Sequence, residues 1–149
     1  MKWIPRFYEG TPARFFRKGK VVILFGSRRV GKTALAHRLL TKRKGKLFLG
    51  TGEDMELASL LSNRKTETYR LFFEPYETIF IDEAQYIPDA GRCLKMLVDL
   101  FPDKQFLITG SSSFHIEQTA SYPLTGRKKM GTRCPFTKLP LGWVSQKIR

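Results

Sequence analysis

The stretch that most constrains this chain is residues 20–33, Lys20-Val21-Val22-Ile23-Leu24-Phe25-Gly26-Ser27-Arg28-Arg29-Val30-Gly31-Lys32-Thr33. Val21 to Phe25 form an unbroken apolar run, the pattern of a parallel strand buried on both faces. A G-x-x-x-x-G-K-T turn follows and then a helical pattern, which is the strand–turn–helix setting of a phosphate-binding loop. The glycines let the backbone curl with its N–H groups pointing inward, a concave nest for anionic oxygens. The helix that starts there adds unsatisfied N–H groups and the positive end of its dipole. The residues expected to cradle a nucleotide's phosphates are Gly26, Ser27, Arg28, Arg29, Val30, Gly31, Lys32, Thr33 and Ala34. Lys32 is expected to reach the β- and γ-phosphates, and the Thr33 hydroxyl to hold Mg²⁺.

Hydrolysis needs two further groups, a carboxylate for the metal and a base for the attacking water. Ile79-Phe80-Ile81-Asp82-Glu83 offers both at the C-terminal end of a strand, the edge where open parallel sheets bind ligands. Asp82 is the expected metal ligand and Glu83 the expected base. The end of the next strand, Thr109-Gly110-Ser111-Ser112-Ser113, offers a polar side chain to report the γ-phosphate, with Ser111 the first candidate and Thr109 the second. Arg127 in Leu124-Thr125-Gly126-Arg127 could pair with phosphate oxygens in its own chain or a neighbour's, or be one more surface cation.

Strand and helix patterns alternate along the chain. The helix after the loop pairs Leu35 with Leu39 and Ala36 with Leu40, and stops at Thr41-Lys42-Arg43-Lys44-Gly45. A short strand, Lys46–Leu49, precedes a helix that Asp54 can cap, with Leu57, Leu60 and Leu61 on one face. A helical stretch from Glu67 to Phe73 is stopped by Pro75. After the Thr78–Ile81 strand, Asp89 can cap a helix with Leu94, Leu97, Val98 and Phe101 on one face, and Gln105–Thr109 is a further strand. The fold class expected is α/β, a three-layer αβα sandwich with a mostly parallel central sheet. Arg127-Lys128-Lys129-Met130 is read as entering an edge strand that runs to Pro135.

The 149 residues suffice for one domain with a real core. No apolar run reaches the length of a membrane span, so no membrane role is expected. Cys93 and Cys134 have no metal-like spacing and read as reduced thiols of a cytoplasmic protein, while His37 and His115 read as structural or solvated. The net charge of +14 is unevenly spread. Residues 1–50 hold 14 Lys/Arg against one acid, Glu9, residues 51–100 hold 5 against 10, and residues 101–149 hold 8 against 2. Such basic ends suit a nucleic acid or an acidic partner protein, or they are solvated faces. In residues 1–19, Trp3, Phe7, Tyr8, Phe15 and Phe16 lie among cations, a pattern of packing aromatics or of a stacking platform.

Together, Gly26–Thr33, Ile79-Phe80-Ile81-Asp82-Glu83-Ala84-Gln85, Leu107-Ile108-Thr109-Gly110-Ser111-Ser112 and Leu124-Thr125-Gly126-Arg127 resemble the AAA-type P-loop ATPases of archaea and bacteria, whose loop carries an Arg-Arg-Val-Gly-Lys-Thr core. The resemblance runs from about Ile4 to about Phe136. It implies a P-loop NTPase fold with an extra strand between the loop strand and the Asp-Glu strand. It also implies ATP as the nucleotide, Mg²⁺ as the metal, Ser111 as sensor and Arg127 as a nucleotide-sensing or finger arginine, with a homo-oligomer as one setting for it. Relatives usually continue into a winged-helix or nuclease-like region, whereas here no acid follows Glu117. The domain expectation is therefore an ATPase core over residues 1–136 and an irregular, truncated or frame-altered tail over 137–149. The alternatives are a nucleotide-binding chain with little turnover and a nucleic-acid-binding module driven by the basic ends.

Overall fold

The first strand, β1 (Val21–Gly26), is buried along nearly its whole length, as an apolar run with no polar alternation requires. The computed structural model describes residues 17–111 and, for the backbone, 136–140. After β1 come α1 (Lys32–Thr41), β2 (Leu47–Thr51), α2 (Met55–Ser62), α3 (Thr66–Phe73) and β3 (Thr78–Asp82). A 3₁₀ turn (Ala84–Tyr86), α4 (Ala90–Leu100), β4 (Gln105–Ser111) and β5 (Phe136–Pro140) complete the order. The five strands form one sheet in the order β2-β3-β4-β1-β5, every pair parallel. β4 lies between the loop strand and the Asp-Glu strand, where the resemblance implies an extra strand.

Side-chain alternation along the strands divides the core into two layers. On one face Val21, Ile23, Ile79, Ile81, Phe106 and Ile108 pack against Leu57 and Leu61 of α2, Tyr69 and Phe73 of α3, and Leu94, Leu97 and Val98 of α4. On the other, Val22, Leu24, Phe80 and Leu107 meet Leu35, Ala36, Leu39 and Leu40 of α1. The fold is therefore α/β with helices on both faces of a parallel sheet, the three layers expected.

Asp54 caps α2 as anticipated, its Oδ1 accepting from the N–H groups of Glu56 at 2.9 Å and Leu57 at 3.3 Å. Asp89 does not cap α4 with its side chain. It takes a left-handed conformation, φ 51°, and its backbone carbonyl accepts from the N–H groups of Arg92 and Cys93 instead. His37 stacks edge-on against Phe80, a structural place, and Cys93 is fully buried with its thiol pushed above the ordinary value by that burial.

The sheet also contains residues assigned above to an irregular tail. Phe136 to Pro140 pair in parallel with Val21 to Phe25, so residues 137–140 extend the sheet beside β1. This strand starts after Pro135, where the expected edge strand was to end. Residues 127–135 lie outside the described set, as do the aromatic residues 3–16, His115 and Cys134.

Candidate functional site

The loop leaves β1 at Gly26 and enters α1 at Lys32 through two left-handed residues, Arg29 (φ 62°) and Gly31 (φ 82°). Gly31 suits its place because that conformation carries no penalty without a Cβ. It is also the residue before the helix, so no side chain caps the first turn, and the N–H groups there remain available to an anion. Lys32 is buried, 4% exposed, and its ammonium turns back into the loop, donating to the carbonyls of Gly26 at 3.2 Å and Ser27 at 3.0 Å. A buried cation inside a curl of backbone is matched to a ligand of high negative charge.

Asp82 faces this loop. The Thr33 hydroxyl bonds its carboxylate at 2.9 Å and 3.1 Å, bridging the first turn of α1 to the end of β3. A hydroxyl and a carboxylate converging beside a phosphate cradle form a hard-oxygen set that suits Mg²⁺, which takes few protein ligands and completes its shell from phosphates and water. No cluster of three or more His, Cys, Asp or Glu side chains suited to a metal exists among the described residues, so any metal here would rely on such shared ligation.

Thr109 ties the strands together. It is completely buried, its hydroxyl donates to Asp82 Oδ1, and its Oγ1 accepts the Glu83 backbone N–H at 2.9 Å. Ser111 lies two residues further along the same face of β4, level with Gly26, where the loop begins. The structure thus puts Thr109 on the Asp82 carboxylate and Ser111 at the loop's entrance. The Ser111 N–H donates to Gln85 Oε1 at 3.1 Å.

Glu83 follows Asp82 in a left-handed conformation, φ 49°, uncommon for a residue with a side chain and the kind of strain that collects at functional turns. Its carboxylate accepts from Gln85 Nε2 at 2.5 Å. From the other side, the Gly52 N–H donates to the Asp82 carbonyl at 2.8 Å, and a Cβ at Gly52 would come within 2.5 Å of the Glu83 carbonyl oxygen. Arg28 reaches across to the Tyr86 hydroxyl at 2.8 Å, linking the loop to the turn after β3. Gly52, Gln85 and Tyr86 were not among the residues expected at the site. Gln85 alone carried a signal, since it stands two residues after Glu83 in the quoted Ile79–Gln85 motif. Arg127 lies outside the described residues.

A family model described as an AAA domain matches residues 18–138. No curated protein matches the chain. Among solved structures, a DNA replication initiation factor is similar at 16% identity and a TM-score of 0.46, over 70% of this chain and 35% of that one. The flagellar accessory protein FlaH from Methanocaldococcus jannaschii is similar at 13% identity and a TM-score of 0.46, over 74% of this chain and 69% of its own. The chain thus spans about a third of the length of the first.

Proposed function

The chain belongs to the AAA-type P-loop ATPase family, and on that premise we propose that it binds ATP with Mg²⁺ and hydrolyses the γ-phosphate. The observation that carries the reading is the Thr33–Asp82 contact, which sets the metal-type ligands of two distant motifs 2.9 Å apart beside the buried ammonium of Lys32. A Mg²⁺ ion held at Thr33 and Asp82 would supply positive charge against the phosphates. Lys32 leaves the loop carbonyls for the phosphates, and the N–H groups of Gly31 to Thr33 hold the oxygens. Thr33 and Asp82 would be the protein ligands of that ion. Glu83, fixed by its backbone bond to Thr109, takes up a proton from the attacking water. Ser111 and Arg127 remain the proposed sensor and finger.

Single-turnover hydrolysis tests this. Glu83→Gln should slow the chemical step about 100- to 10,000-fold while nucleotide still binds, and Lys32→Ala should abolish turnover. Equal, near-background rates in wild type and Glu83→Gln would leave a nucleotide-binding protein without catalysis. Undiminished hydrolysis by Lys32→Ala would remove the loop assignment.

A coupled polyanionic partner is the second part of the proposal. Lys18, Lys42, Arg43, Lys44 and Lys104 line a cavity of about 390 Å³ at the N-terminal ends of β3 and β4, with Glu77 and Asp103 the acids among its walls. A nucleic-acid backbone meeting this face should bind with an affinity that falls steeply as salt rises. Binding that ignores salt would exclude it.

A further inference from the structure

Gln85 links the Glu83 side chain to the Ser111 backbone, beside the Thr109 bonds that already tie the Asp82-Glu83 turn to β4. The left-handed turn at Glu83 and the 3₁₀ turn that follows bring the Gln85 side chain back between β3 and β4. One end of its amide donates to Glu83 Oε2 and the other accepts the backbone N–H of Ser111 at 3.1 Å. Chemistry fixes the orientation of that amide, because an ionised carboxylate only accepts and a backbone N–H only donates. Both partners are half-buried, so water competes only in part for either bond.

We infer that Gln85 is a positioning residue that latches the Glu83 carboxylate to the end of β4, so that the aim of the base follows the position of the Ser111 backbone. The inference rests on the proposal that Glu83 is the base. Engaging Oε2 leaves Oε1 to meet the attacking water, and the three atoms that set its direction belong to a rigid chain of side-chain amide, backbone and strand. The strand carries Thr109 on Asp82 and Ser111 beside the loop entrance. A nucleotide that shifts the strand's end therefore moves Glu83 by way of Gln85. No described bond joins Gln85 to Lys32, Thr33 or Asp82, so it shapes the chemical step and leaves nucleotide affinity alone.

The test measures turnover at saturating ATP and Mg²⁺, and nucleotide affinity, in wild type, Gln85→Ala, Gln85→Glu, Glu83→Gln and the double variant Glu83→Gln/Gln85→Ala. Gln85→Ala should cut turnover about 100-fold, the scale of a misaimed catalytic group, with affinity within about two-fold of wild type. Gln85→Glu is isosteric and can still accept from Ser111, but it sets a negative charge against Glu83, and should lose at least as much. In the Glu83→Gln background, Gln85→Ala should change nothing further, because the group it aims has already lost its function. Wild-type turnover in both Gln85 variants, or a further 100-fold loss on top of Glu83→Gln, would overturn the latch while leaving the base in place. Wild-type turnover no faster than that of Glu83→Gln would remove the base and the latch with it. Should the alanine variant fail to bind nucleotide, the isosteric glutamate variant decides by the same criteria.

Discussion

Replacing Thr109 by valine isolates the bond that joins the carboxylate strand to β4. Valine keeps the shape and removes only the hydroxyl, which in the fold donates to Asp82 and accepts from the Glu83 N–H while fully buried. Loss of a hydrogen bond to a charged carboxylate costs about 1.5–3 kcal/mol, and a buried N–H left without a partner about 1–3 kcal/mol. Asp82 keeps the Thr33 hydroxyl, and the Glu83 N–H gains some water from a half-buried turn, so about 2–4 kcal/mol is expected in total. For a domain of this size that lowers the melting temperature by roughly 5–15 °C. Thr109→Ser is the control: it keeps the hydroxyl and loses one methyl, a cost of about 1 kcal/mol. Urea denaturation and thermal melts of the two variants should rank valine clearly below serine, and single-turnover hydrolysis should follow, with valine slower by about 10- to 100-fold. A valine variant as stable as the serine variant, with equal turnover, would show that the hydroxyl does not hold the two carboxylate residues in place.

Gly52→Ala should fold and bind nucleotide but hydrolyse it about 10-fold or more slowly, because the new Cβ would lie 2.5 Å from the Glu83 carbonyl and must push that turn aside; unchanged turnover would refute the close approach. Stability should fall as the pH rises from about 9 to 10. Burial holds the Cys93 thiol above its ordinary 9.0 and the Tyr69 phenol above its ordinary 10.0, so the unfolded chain releases protons that the folded chain keeps. Below those ordinary values the contribution is fully present. Cys93→Ala should flatten the decline between pH 9 and 10, and an identical slope in both proteins would argue against the burial effect.

The readable part of the site is the part written in local spacing. The loop needs its two glycines, lysine and threonine at fixed offsets, and the Asp82-Glu83 pair ends an apolar strand, so both were legible without a fold. Choosing between Thr109 and Ser111 was not. They are two apart on one strand and point to the same face, so periodicity cannot separate them, and only the folded contacts assign one to the Asp82 carboxylate and the other to the loop entrance. Gly52 and Gln85 act through atoms some 30 residues away, the carbonyl of Glu83 and the N–H of Ser111, and short-range patterns carry no trace of such pairings. The fold class followed from the alternation of strand and helix. The strand over Phe136–Pro140 was not legible in the sequence, where Pro135 reads as the end of an edge strand.

The position of β1 inside the sheet has a consequence for the birth of the protein on the ribosome. Its neighbours among the described strands are β4 and β5, both from the last third of the chain. At about 5–20 residues per second, roughly 4–16 seconds separate the emergence of β1 from that of β4. Throughout that interval Val21 to Phe25 have neither of the strands that pair with them in the described sheet. The same five residues that make the loop rigid once the sheet closes are, until then, an open adhesive edge, and a chaperone that grips short apolar segments would find its first hold there.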